Sequence, residues 1–300
     1  MITKNLEFVN EKIDNFTLHK SYALDFQQKL AKLYEGDIQY TDKPSKKAEN
    51  VLNCGTFLAF IKYNDPNNTS RLYGANFCKH KLCPMCAWRA HLKNSVKFEK
   101  AFRSMPEHEY YHLVLTIQNV PHITKEFIIN LRQKATQFIK KSMKVKDFFL
   151  SFELTIGKDG NYHPHYHIIY YKDGTTYTKK WMQTEWAKVC NYGKQYQIVN
   201  NRKCNKNTIS RELTKYILKF EDINPNEQQL RVIDVALKGI RKYSANGSFK
   251  IAQYNAECEI DKEEFDKLFE LDHYSAEISF YKWFIDNYQI TEKSTIEAKQ

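Results

Sequence analysis

Residues 149–171, FLSFELTIGKDGNYHPHYHIIYY, constrain this chain more than any other stretch. Aromatic, leucine and β-branched side chains flank Gly157-Lys158-Asp159-Gly160-Asn161, which predicts two strands joined by a glycine-rich turn. The register of that hairpin decides its chemistry. A three-residue loop, Lys158-Asp159-Gly160 with Gly160 left-handed, pairs Gly157 with Asn161 and sets Glu153 opposite His165. Side chains alternate along a strand, so Glu153, His165 and His167 then share one face. A two-residue Asp-Gly turn instead pairs Glu153 with Tyr166 and sends its carboxylate to the other face. In the longer-loop register two imidazoles and a carboxylate converge and leave positions open on a hard divalent ion. That donor set suits Mg²⁺ or Mn²⁺ acting on a phosphate. The plain alternative is polar histidines on a solvated strand face. His163, His165 and His167 fall within five residues, with Glu153 in register, and this favours the metal site.

Three hundred residues suffice for one large domain or two modest ones, and 42% hydrophobic and 14% aromatic content supports a packed core. The net charge of +11 is unevenly spread: residues 1–250 hold 41 basic and 23 acidic side chains, residues 251–300 hold 5 and 12. A body that basic and that rich in Tyr and Phe fits a polyanion partner, with lysines for phosphates and rings for unpaired bases. No stretch approaches the roughly 20 apolar residues that span a bilayer. The opening MITKNLEFVNEKIDNF lacks the apolar core of a signal peptide, so a cytoplasmic protein with no membrane partner is expected.

Seven cysteines in such a protein point to metal thiolates and reduced thiols rather than to a disulfide framework. Residues 56–63 and 71–77 read as strands about the turn-rich NDPNNTS, so folding the loop at its middle returns Cys78 close to Cys54. With Cys83 and Cys86 of CKHKLCPMC, four sulfurs can then meet, and a structural Cys₄ zinc site is favoured over a redox Cys-x-x-Cys pair. His80 stands by as a substitute ligand if Cys54 lies too far away. The following AWRAHLKNSVKFEKAF has a helical period. Trp88, Leu92 and Val96 form its apolar stripe, and Arg89, Lys93, Lys97 and Lys100 line a neighbouring face that could meet a DNA backbone or merely be solvated.

Residues 111–119 alternate like a sheet strand, residues 125–144 and 179–189 read as helices, and the order suggests an antiparallel sheet with helices packed on it. In TISRELTKYILKFED, residues 208–222, Ile209, Leu213, Ile217 and Phe220 make a buried stripe, with Glu212 and Tyr216 one turn apart beside it. Lys215 and Lys219 flank the phenol. A phenol of pKa near 10 needs help to attack at neutral pH, and spacing alone equally allows a tyrosine that packs at the edge of the core.

Taken together, FCKHKLCPMCAWR, HLVLTIQNV, the FELT and HPHYHIIY pair, ELTKYILK and ALKGIRKYSANGSFK resemble the rolling-circle plasmid replication initiators of the HUH endonuclease superfamily, over residues 54–250. The resemblance implies that His165 and His167 bind the divalent metal, with Glu153 as third ligand from the register argument. It implies that Tyr216 is the nucleophile, joined to a 5′ phosphate at the plasmid's double-strand origin and leaving a 3′ hydroxyl primer. The DNA there would be single-stranded or an extruded hairpin. Glu212 is similar to the family carboxylate that activates water when the round ends, and a single tyrosine agrees with that division of labour. Lys219 matches the basic residue after the tyrosine, and from their places on the two helices Lys215, Arg89, Lys93 and Lys97 are expected as DNA contacts. Host helicase and polymerase would be further partners.

The expected fold is α+β, a central antiparallel β-sheet with flanking helices, HUH endonuclease-like, carrying an inserted or appended Cys-rich zinc module. The expected division is an N-terminal helical and linker segment (1–48), a zinc-knuckle hairpin with its basic helix (49–105), the nicking core (106–223), and a basic then acidic helical region (224–300). Two other readings share these residues: a zinc-stabilised DNA-binding regulator without catalysis, and a related HUH relaxase or transposase.

Overall fold

A computed structural model describes residues 2–35, 45–171, 177–191, 199–206, 209 and 225–298. In chain order the elements begin with α1 (Ile2–Lys32), α2 (Lys46–Leu52), β1 (Phe57–Tyr63), β2 (Ser70–Ala75), α3 (Pro84–Arg103) and β3 (Tyr110–Thr116). They continue with α4 (Lys125–Gln137), which runs into one π-helical turn (Phe138–Ser142), then β4 (Phe148–Ile156), β5 (Tyr162–Tyr171), α5 (Lys179–Cys190) and β6 (Val199–Cys204). Last come α6 (Glu227–Leu237), β7 (Tyr243–Asn246), α7 (Ser248–Leu271), β8 (Ala276–Phe284) and β9 (Asn287–Ile296). The architecture is α+β with antiparallel sheets. The chain forms two units, residues 1–90 with 260–300 and residues 91–259, and it crosses between them inside α3 and inside α7.

The first unit holds a four-stranded sheet in the order β2-β1-β8-β9. Asp65 fixes the β1–β2 turn by accepting from the Thr69 amide and hydroxyl and the Asn67 amide, so the expected fold-back occurs. The partner on the other side of β1 comes from the far end of the chain, with Phe60 opposite Ser279. Residues 276–296, expected within a helical region, are therefore a β-hairpin. The reason is local: AEISFYKWF alternates β-formers with polar residues, and its Ala276 and Ile278 pack against Ala59, Ile61, Tyr63 and Leu271. α1 is longer than the pattern around residues 23–34 implied and buries Ile13, Phe16, Lys20, Ala23, Gln27 and Leu30, a stripe at alternating spacings of three and four.

The second unit is built on a five-stranded antiparallel sheet in the order β6-β3-β5-β4-β7. Large apolar residues on one face, including Leu113, Leu150, Tyr166 and Ile168, are fully buried. α4 and α5 lie on this side: the Tyr166 hydroxyl donates to the Ile128 carbonyl and the Trp186 indole donates to the Thr116 carbonyl at 2.7 Å. Thr124 and Thr178 cap these helices through the Phe127 and Trp181 amides, and Asn226 with Gln229 makes a reciprocal capping box on α6. On the opposite face Phe98, Ala101 and Phe102 of α3 and Phe249, Ala252 and Ala256 of α7 pack against Tyr110, Phe149 and Ile169. This cluster covers the end of the face remote from the β4–β5 loop. The other end carries polar side chains.

One helix departs from its expected stripe. In α3, Leu92 and Val96 are exposed, whereas Met85 near its start and Phe98, Ala101 and Phe102 near its end are buried. The helix serves a different unit at each end, so no single stripe runs its length. Its basic face is also not simply solvated, since Lys97 pairs with Glu257 and Lys100 with Glu259, both on α7. Among the described residues no helix is long and apolar enough to cross a membrane.

Candidate metal centres

The β4–β5 hairpin closes through the three-residue loop. The Gly157 amide donates to the Asn161 carbonyl at 2.8 Å, the Gly160 amide donates to the Gly157 carbonyl, and Gly160 has φ +76. Glu153 therefore lies opposite His165. One carboxylate oxygen of Glu153 sits 2.5 Å from His165 Nε2 and 2.7 Å from His167 Nε2, and all three side chains are buried. Burial opposes ionisation of Glu153, but the hydrogen bonds and charge of His165 and His167 outweigh it and hold the carboxyl down at about 2. Burial lowers the pKa of His167, with the neighbouring His165 adding to it and Glu153 opposing it, so the neutral ring is favoured.

The donor set fits a divalent ion. The donor atoms of Glu153, His165 and His167 lie within 4.8 Å of one another. His165 Nδ1 faces the His163 carbonyl at 3.3 Å. The tautomer that donates there leaves the Nε2 lone pair directed at the cluster, as a metal-ligating histidine requires. Three donors leave open positions for a substrate oxygen or water.

Around this cluster lie further polar residues, of which His112, Arg202 and Asn119 were not singled out by the sequence pattern. His112 Nε2 is 3.1 Å from His167 Nδ1, the two rings stack, and Arg202 of β6 reaches His112 Nδ1 at 3.4 Å. His163 Nδ1 meets Asn119 Oδ1 at 2.5 Å, and the Asn119 amide in turn donates to Asp159 in the hairpin loop. The signal for His112 was present in the sequence: it is the one polar side chain in the apolar run YHLVL, at an alternating position that β3–β5 pairing brings to the His167 face.

The second centre lies in the other unit. Cys54 follows α2, Cys78 follows β2, and Cys83 and Cys86 bracket the start of α3; the four sulfurs converge. Sulfur separations are 3.5 Å for Cys54–Cys86 and Cys54–Cys83 and 3.6 Å for Cys78–Cys86. Those are far longer than a disulfide and near the ~3.8 Å edge of a tetrahedron with 2.3 Å Zn–S bonds. The Cys78 amide donates to Cys54 Sγ, the His80 amide to Cys78 Sγ and the Gln27 side-chain amide to Cys83 Sγ, all at 3.3–3.4 Å. N–H donors aimed at sulfur suit thiolates. Both ring nitrogens of His80 are engaged, by the Tyr34 hydroxyl and the Leu82 amide, so Cys54 and not His80 completes the set.

Tyr216, Glu212, Lys215 and Lys219 lie outside the described residues. Ile209, at the head of that segment, is fully buried in the cluster on the sheet face that also bears the Glu153 site. Of the remaining basic residues singled out, Lys93 is exposed, Lys97 is ion-paired as described, and the half-buried Arg89 guanidinium lies over the Phe16 and Trp88 rings.

The profile of Rep_1, a replication-protein family, matches residues 69–293. The chain is 31% identical to a protein named Protein rep from Lentilactobacillus hilgardii, an alignment covering 68% of this chain and 74% of that one. It is 29% identical to a Protein rep from Lactiplantibacillus plantarum, over 68% and 73% of the two chains. A third Protein rep, from Streptococcus pneumoniae serotype 2, is 37% identical over 40% of each. No solved structure matches the chain.

Proposed function

This chain belongs to the replication-protein family Rep_1, rolling-circle initiators of plasmid replication, and from that premise we propose that it nicks and rejoins one strand at its plasmid's double-strand origin. The convergence of Glu153, His165 and His167 on one sheet face carries the reading. A divalent ion held by these three, Mg²⁺ or Mn²⁺, would polarise the scissile phosphate. The nicking core is residues 106–223. Tyr216 Oη attacks phosphorus as the P–O3′ bond breaks, the phenolic proton passes to the departing 3′ oxygen, and the 5′ phosphate stays on the tyrosine. One phosphodiester replaces another, so no nucleoside triphosphate is consumed. The free 3′ hydroxyl primes synthesis, and attack by a later 3′ hydroxyl reverses the step and rejoins the strand. Lys215 and Lys219 offset phosphate charge near the phenol. Glu212, one turn before Tyr216, accepts a proton from the water that ends the round. Lys93, exposed on α3, is the basic side chain there best placed to meet a DNA backbone. The thiolate cluster holds structural zinc, and host helicase and polymerase act on the nicked origin.

The reading is tested by incubating the protein with Mn²⁺ and single-stranded oligonucleotides tiled across the DNA around its own gene. A denaturing gel then shows any covalent adduct. The expected adduct disappears in Tyr216→Phe and when Mn²⁺ is omitted. An adduct that persists in Tyr216→Phe moves the nucleophile elsewhere. No cleavage on any tile or on the supercoiled plasmid leaves a zinc-stabilised DNA-binding regulator.

A further inference from the structure

The buried stripe of α1 contains two polar residues, Lys20 and Gln27, seven residues or about two helical turns apart. Lys20 is 0% exposed. Its ammonium donates to Gln27 Oε1 at 2.6 Å and to the Cys54 carbonyl at 2.8 Å. Gln27 divides its amide between that same carbonyl and Cys83 Sγ, at 3.3 Å each. Among the described residues no carboxylate pairs with Lys20, and its partners are two neutral oxygens. A buried ammonium in such a setting is costly unless a full negative charge lies close by. The groups here that can supply one are the sulfurs. Four thiolates around one divalent zinc carry a net charge of minus two, and Lys20 reaches the backbone of one ligand, while its hydrogen-bond partner Gln27 reaches the sulfur of another.

We propose that Lys20 is the buried counter-cation of the four-cysteine zinc site, so that α1 docks on the loaded cluster and is released when the metal leaves and the four sulfurs take up protons to become neutral thiols. The inference rests on the zinc reading of Cys54, Cys78, Cys83 and Cys86, and goes beyond it by giving the N-terminal helix a role: it completes the charge of the site. Zinc loading thereby controls whether α1 is held. A cation merely tethering α1 to the α2 end makes the opposite forecasts, because a neutral side chain of similar length would then serve as well or better.

The test uses the full chain as purified, Lys20→Met, and Lys20→Gln in case the first variant folds poorly. Zinc content is measured by elemental analysis, retention by competition with a chromogenic chelator, and docking of α1 by amide hydrogen exchange before and after metal removal. The wild type should hold one zinc per chain. The variants should surrender it at a chelator concentration at least tenfold lower. Metal removal should strip exchange protection from α1 in the wild type, and should change α1 protection far less in Lys20→Met, which has no charge to expel. Absence of zinc from the wild type would overturn the reading of the cysteines themselves. Zinc present but equally well retained in the variants, or wild-type α1 fully protected after zinc removal, would overturn the counter-cation role alone.

Discussion

Glu153→Gln separates the electrostatic work of the Glu–His–His cluster from the metal binding proposed for it. The wild-type carboxyl is held at about 2 against an ordinary 4.5. At about 1.4 kcal/mol per tenfold change in an equilibrium constant, the ionised carboxylate, net of its burial penalty, is favoured in the folded cluster by about 3 kcal/mol. Because the folded value lies below the ordinary one, this contribution is complete above about pH 4.5 and is lost as pH falls toward about 2. Glutamine keeps the shape and one acceptor but not the charge. In buffer free of Mg²⁺ and Mn²⁺ at pH 7, native-state hydrogen exchange at β4 and β5 amides should therefore report an opening free energy lower by about 3 kcal/mol in the variant, and the gap should close between pH 4.5 and pH 2. Mn²⁺ at a hundred times its Kd should add ~2.7 kcal/mol to the wild type and far less to the variant. Equal or greater protection in metal-free Glu153→Gln would refute the argument, since the carboxylate would then be a strained ligand set stabilised only by an ion.

Three further perturbations probe neighbouring parts of the molecule. His112→Phe keeps a ring against His167 but removes the hydrogen bonds to His167 and Arg202, so Mn²⁺ affinity by calorimetric titration should fall roughly 10- to 100-fold, with a modest fall in melting temperature from the buried partners left unpaired. Cys83→Ser should lower zinc content and thermal stability and reduce DNA cleavage only as a consequence; a wild-type protein that is fully stable without zinc would contradict this. Gly160→Ala puts a side chain at φ +76 with nothing within 4 Å of its Cβ, so urea unfolding should show a loss of about 1 kcal/mol from backbone conformation alone. Gly247→Ala should cost more, because the added Cβ collides with the Asp147 carboxylate that holds the Ser248 amide.

The parts of the fold that were legible in the sequence are those set by neighbours. Alternation fixed the strands at 148–156 and 162–171, and loop chemistry at Gly157 and Gly160 fixed their register, because both signals act within a dozen residues. The Asp65 turn that returns Cys78 toward Cys54 is of the same kind. What failed depended on distant partners. Nothing near residues 276–296 announces that they extend the sheet of β1, more than two hundred residues earlier. Leu92 and Val96 do not continue the buried side of α3 from Trp88, because the helix changes unit midway and its end packs on Phe149 and Phe249.

The same division runs through both candidate metal centres. Each candidate donor set is assembled by an antiparallel turn, Glu153 with His165 and His167 across one loop and Cys54 with Cys78 across another, so spacing together with the loop's register points to the donors. The groups that adjust those donors arrive by tertiary contact: His112 from β3 through its pairing with β5, Arg202 from the edge strand β6, and Lys20 from a helix that shares no turn with the cysteines. A donor must sit at bonding distance in a fixed direction, which a hairpin encodes locally. A neighbouring charge or hydrogen bond needs only to be near, which many topologies could supply and no short motif specifies. On the proposed readings of both sites, metal retention is thus a property of the packed units, and substitutions at His112 and Lys20 should change it while every candidate donor remains in place.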